Sequence, residues 1–245
     1  MTNTLAGSLP LIPIVDILAF GWFMALWIGY GVFAERPNPK RPSAAQVMHD
    51  YRVRWMLRML ERDNRMADVN IVFAHMRSAM LFASITILIL AGVMTILGNL
   101  GKAREVISEL SFATGASREL WEIKVFVLVF IFVYAFFKYA WCLRQFNFTL
   151  IFIGAAPLPE EVNAHERKDY PDRGARLMSR GINAFNRGLR SYYFGLATLA
   201  WFIGPLFFAI ATVWVVAVLY RRDFHSVVLQ TLSEQVPEPI KPISG

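Results

Sequence analysis

The sequence predicts an all-α fold: a polytopic membrane helix bundle with four transmembrane helices and amphipathic cytoplasmic helices. Three observations carry this. The stretch from Tyr192 to Tyr220 reads YYFGLATLAWFIGPLFFAIATVWVVAVLY, with no charged residue between Arg190 and Arg221. As one helix it would exceed ~40 Å, against a hydrocarbon core of ~30 Å. Hydrophobic residues make up 56% of the chain, and the mean hydropathy is +0.43. Charged residues are only 18%, below the usual quarter or so, and they gather in the connections. A single membrane domain accounts for all 245 residues.

The first span covers about 11–34 and is interrupted only by Asp16; Trp27 and Tyr30 suit an interfacial belt. A run with no Lys or Arg before it and this length reads as a retained span rather than a cleaved signal. Three prolines between Pro37 and Pro42 end it. Ser43 with Gln46 forms a capping-box start for a helix running to about Asp68. Val47, Tyr51, Trp55, Met56, Met59 and Leu60 fall on one side of it, and Arg52, Arg58, Arg62 and Arg65 on the other. Such a helix suits a membrane surface or a seat on its own bundle, and the sequence leaves both open.

The second span, about 78–101, is charge-free, with Ala83, Ser84, Ala91 and Gly92 small enough for close helix approach. A short helix is expected over 105–112, with a restart at Ser117. The third span covers about 120–144. Residues 146–157 are apolar but too few to cross, so they read as a helical extension or an interfacial segment. A polar connection then leads to the fourth span, about 192–220, and Pro237, Pro239 and Pro242 mark a loose tail over about 234–245.

Orientation follows from Lys and Arg. The connection 35–77 holds nine and 143–191 holds eight, whereas 98–124 holds four and the residues after Tyr220 three. The positive-inside rule then puts the connections 35–77 and 145–191 in the cytoplasm and both termini outside, in a bacterial inner membrane. The net charge of +7 is explained by the same bias, so no nucleic-acid partner is expected. Asn70, Arg77 and Ser78 recur as Asn183, Arg190 and Ser191, a faint sign of a half-chain repeat.

No nucleotide loop, zinc-protease motif or serine elbow is present. Cys142 stands alone, and His49, His75, His165 and His225 show no ligand spacing. No catalytic set, metal or cofactor is therefore expected. Charges inside the spans carry more information, because each is costly in lipid. Asp16 lies near the outer entry of its span, and by depth its partner is Lys124, a structural pair in preference to a proton relay. At the inner face Arg77, Arg190, Lys138 and Arg144 approach one leaflet, and converging cations there would bind the phosphate of an anionic phospholipid.

Five segments carry a family resemblance: Arg187–Phe194 (RGLRSYYF), Trp201 with Gly204 and Pro205, Leu219–Ser226 (LYRRDFHS), Phe136–Tyr139 (FFKY) and Trp141–Asn147 (WCLRQFN). On these the chain resembles a family of four-span membrane proteins of bacteria and plants, known only as a domain of unknown function. Asp223 and His225 depart from the Glu and Arg more usual in that family. The resemblance implies four spans and no assigned activity. The functional reading is a non-enzymatic accessory or scaffold component engaging anionic lipid or a larger membrane complex. An oligomeric transporter or channel subunit is the alternative, and an enzyme acting on lipid phosphate is a second.

Overall fold

The structure, a computed structural model, describes residues 13–36, 43–108, 117–225, 229 and 231–232. Seven α-helices make up the described chain: α1 (Ile14–Glu35), α2 (Ala44–Leu60), α3 (Met66–Gly98), α4 (Leu100–Ser108), α5 (Arg118–Gly154), α6 (Ala164–Leu199) and α7 (Pro205–Phe224). Four of them, α1, α3, α5 and α7, are long and apolar enough to cross a membrane. Their outward faces expose Leu18, Ile28, Leu88, Phe130, Ile210 and Trp214 among many large apolar side chains, an arrangement suited to hydrocarbon rather than water. Thr86, Thr198 and Thr212 each donate to the carbonyl four residues back on their own helix, so these three hydroxyls are satisfied without water.

The central pair is α5 against α6, antiparallel, and its packing has a seven-residue rhythm. Gly174, Gly181, Gly188 and Gly195 repeat along α6; Phe132, Tyr139 and Phe146 repeat along α5. A Cβ placed on Gly181 would meet the Phe146 ring at 2.5 Å, and one on Gly188 the Tyr139 ring at 2.8 Å. On Gly195 it would meet Phe132 at 3.0 Å. Each aromatic ring thus occupies the hole that a missing side chain leaves, and a heptad period keeps the two helices in register.

At ~1.5 Å per residue α5 and α6 reach about 55 Å, well beyond a bilayer core of ~30 Å. Residues 146–154 are the continuation of α5. The projecting ends are covered by α2, whose Met56, Met59 and Leu60 are buried with Val72, Phe146, Ile153 and Met178. That decides between the two seats left open for this helix: α2 packs on its own bundle. It starts at the expected cap, with Ser43 N donating to Gln46 Oε1 at 2.8 Å. It stops at Leu60, and Asp68 belongs to α3, where it accepts from Trp55 Nε1 (2.7 Å) and Arg62 (2.6 Å). The short helix expected over 105–112 is α4, ending at Ser108, and 109–112 lie outside the described residues, as does the tail over 234–245.

The expected fourth span requires a correction. Residues 192–220 are not one helix: α6 ends at Leu199, a 3₁₀ turn covers Ala200–Phe202, and α7 begins at Pro205. Gly204 is extended, with φ 174° and ψ 159°. Proline has no N–H to offer the carbonyl of Trp201 four residues back, and its ring crowds that oxygen. The chain therefore turns round. Trp201 Nε1 donates to Asp16 at the start of α1 (2.7 Å), while Asp223 accepts from Tyr30 near the end of α1 (2.7 Å). α7 runs back parallel to α1, and its last residues lie at the end of the bundle that carries Glu35 and α2. The two ends of the described chain are thus at opposite ends of the bundle.

Candidate functional site

At the end marked by Glu35, helices α1, α2, α6 and α7 enclose a cleft of about 970 Å³. Arg52, Arg187, Arg190 and Arg222 line it, with Glu35, Asp50 and Asp223. Most of this charge is internally matched. Glu35 takes Arg187 through Nε (2.7 Å) and Nη2 (2.5 Å), and its Oε1 also accepts from Arg190 at 2.5 Å. Asp223 accepts from Arg222 Nε at 3.0 Å as well as from Tyr30.

Arg52 is the exception. It is 7% exposed, and among the described residues its hydrogen bond is to a neutral hydroxyl, Nη1 to Ser179 Oγ at 2.8 Å. No carboxylate lies within ion-pair distance of it among these residues. Burial pushes its pKa down to about 10, so it is still a cation at neutral pH. A buried charge ordinarily has a charged or fully hydrogen-bonded partner, and Arg52 lines the cleft.

Ser179 also meets His49, with Nδ1 and Oγ 3.0 Å apart. Asp172 is 3.9 Å from His49 Nε2, too far for an orienting hydrogen bond, and it pairs with Arg176 instead. The serine sits in the middle of α6 with a guanidinium on its oxygen. These three residues do not form an acyl-transfer triad. Among the described residues no group of three or more His, Cys, Asp or Glu is placed to hold a metal ion.

Of the four expected inner-face cations, only Arg190 lines the cleft. Lys138 lies over the Tyr134 ring at 4.7 Å, and Arg144 over Trp141 and Phe148 at 5.6 and 5.5 Å. Arg77 is exposed on α3. The four do not converge, because side chains on α5 stack along their own helix and α3 turns Arg77 away from the core. The expected repeat is not mirrored in environment either: Arg190 and Ser191 are buried, whereas Arg77 and Ser78 are exposed. Asp16 and Lys124 are brought together at the opposite end, 3.7 Å apart and both buried.

Arg52 escaped the sequence reading, which grouped it with Arg58, Arg62 and Arg65. Its signal was there: Arg52, Met56 and Met59 stand at i, i+4 and i+7, one stripe of a helix. Glu35 was also missed, since its partners lie more than 150 residues away.

The family model described as a protein of unknown function, DUF599, matches residues 18–228. The chain belongs to the DUF599 family. The match takes in most of α1, all of α2 to α7, and with them all the residues of the basic cleft. Asp16 falls two positions before it, while Lys124 and Trp201 fall within it. Among curated proteins and among solved structures nothing matches. For this DUF599 chain the arrangement of charge is therefore the guide to chemistry: a basic cleft lined by Arg52, which has no carboxylate partner among the described residues, can hold an anion.

Proposed function

We propose that the protein is a non-enzymatic component of the bacterial cytoplasmic membrane that binds the headgroup of an anionic phospholipid in the cleft at its basic end. The observation that carries this is Arg52, buried, charged and without a carboxylate partner among the described residues. A phosphate oxygen would accept from its N–H groups, and a guanidinium fork suits that geometry. Arg187, Arg190 and Arg222 add a positive surround, already held in place by Glu35 and Asp223. The reading keeps the expected anionic lipid and moves its site from Arg77, Lys138 and Arg144 to Arg52.

The orientation follows from the reversal at Pro205. With Arg221 and Arg222 on the basic side, Lys and Arg divide nineteen to four between the two ends, a stronger bias than the sequence count assumed. In this reading the basic end is cytoplasmic, the α7 terminus included, and the second half of α6 adds a fifth traverse. Single cysteines at Asn99, Asn64 and His225, in a Cys142→Ala background, check it. An impermeant maleimide is expected to label the Asn99 position in intact cells, and the other two only after permeabilisation. Labelling at His225 in intact cells would return the α7 terminus to the outside.

The headgroup reading is tested by native mass spectrometry of protein purified in mild detergent. Wild type is expected to retain phosphatidylglycerol, and Arg52→Gln to retain at least about tenfold less, the loss of a charged hydrogen bond. Arg144→Gln, on the exposed side of α5, is expected to behave as wild type. Equal retention by Arg52→Gln and wild type overturns the proposal.

A further inference from the structure

Arg52 lines a second cavity as well. It has a volume of about 550 Å³ and lies between α2, α3 and α6, with Phe146 of α5 at its base. Its walls are mainly apolar: Trp55, Ile71, Phe82, Met178 and Phe185. Met48, Arg52 and Ile182 line both cavities, so the charged cleft and the apolar one adjoin at these residues, Arg52 among them. Both volumes lie in the range of about 300–1,000 Å³ usual for small-molecule sites.

We infer that the apolar cavity takes an acyl chain of the same anionic lipid whose headgroup the cleft holds. The inference rests on the headgroup reading above and adds where the tail goes. An anionic head joined to an apolar tail is the pattern that the two cavities present across Arg52. Free phosphate, or a soluble phosphate ester, would satisfy the guanidinium and leave the apolar walls uncovered. The α3 wall consists of Ile71, His75, Ser78 and Phe82, one stripe at helical spacing. It climbs from the connection side into the apolar run of that helix, where Met80 and Leu81 are exposed beside it. A chain lying along this stripe would lead from Arg52 towards the lipid-facing flank of α3. A competing occupant lies close by: Tyr51, on the wall, donates to the Leu232 carbonyl at 3.4 Å, so Leu232 of this chain comes near.

The test uses the full chain in phosphatidylcholine nanodiscs, titrated with oleoyl lysophosphatidylglycerol and separately with glycerol phosphate. Ser78→Trp puts an indole on the α3 wall of the apolar cavity from an exposed position, and Ile71→Trp does so from a different level. Each is expected to weaken lysolipid binding at least tenfold while leaving glycerol phosphate binding as in wild type, and Arg52→Gln is expected to weaken both. Unchanged lysolipid binding in both tryptophan variants, with loss in Arg52→Gln, overturns the acyl site and leaves the headgroup site standing. Insensitivity of both ligands to Arg52→Gln overturns the headgroup site itself. Lysolipid binding seen only after deletion of residues 226–245 makes the chain's own tail the occupant and overturns the inference.

Discussion

Gly181→Leu is expected to prevent assembly of the α5–α6 pair, and Gly181→Ala to lower stability by about 1–3 kcal/mol, the cost of forcing a methyl group into a filled core. A Cβ at this position would lie 2.5 and 2.7 Å from two carbons of the Phe146 ring. Real carbon contacts are not that short, so the ring or the helix must move. Phe146 is 1% exposed and packs in the cluster of Met56, Met59, Val72 and Met178, so a shift of the ring breaks contacts there even though it also borders the apolar cavity. Helix propensity works the other way, since alanine is better than glycine by about 1 kcal/mol in a helix, and the clash outweighs it here. Gly92→Ala isolates the propensity effect, because a Cβ at Gly92 meets nothing within 4 Å. Thermal unfolding in detergent should therefore show Gly181→Ala below wild type and Gly92→Ala at or above it. Trimming the ring as well, in Gly181→Ala/Phe146→Leu, should cost less than the two single changes added together. An unchanged midpoint for Gly181→Ala would mean that the ring is not fixed in this hole.

The glycine rhythm shows what was legible and what was passed over. Hydropathy finds long apolar runs, and it located α1, α3 and α5 because nothing in lipid offers a charged residue compensation. It carries no direction. Tyr192–Tyr220 is apolar throughout, so the reversal within it left no trace in composition; only Gly204 and Pro205 marked it. The positive-inside count depends on that reversal, and one misplaced turn moved Arg221 and Arg222 to the wrong end. Depth arguments did better for Asp16 and Lys124, since two residues at similar distances from a helix start need only neighbouring helices to meet. They did worse for Arg77, Lys138 and Arg144. Depth fixes height along a helix but not angle around it, and cation–π stacking on Tyr134 and Trp141 kept two of these side chains on their own helix. Long-range pairs such as Glu35 with Arg187 and Arg190 have no local signature at all.

Lys124→Met is expected to cost about 3–5 kcal/mol, the range for breaking a buried ion pair by removing one partner. Lys124 is 1% exposed and Asp16 5% exposed, so neither charge has water as an alternative. The lysine serves two acceptors. Its Nζ donates to the Trp201 carbonyl at 2.8 Å and stands 3.7 Å from Asp16 Oδ1. That carbonyl needs a donor because Pro205, four residues on, has no N–H to supply one. Trp201 returns the contact by donating Nε1 to the same Asp16 oxygen at 2.7 Å. Lysine, aspartate and tryptophan therefore close a ring around the point where α6 gives way to α7. Losing the lysine leaves a buried carboxylate without a cation and a turn carbonyl without a donor. Asp16→Asn is milder, since an amide oxygen still accepts from Trp201. Removing both charges together should cost less than the sum of the single changes, because the second loss relieves a charge that the first left uncompensated. The turn supplies a readout of its own. A maleimide-reactive cysteine at His225, at the far end of α7, should report its side of the membrane less uniformly in Lys124→Met than in wild type, and Lys124→Arg, which keeps a donor and a charge, should restore it in part. Strict additivity of Asp16→Asn and Lys124→Met would show that the two do not act as a pair. Unchanged stability in Lys124→Met would show that Trp201 does not depend on it.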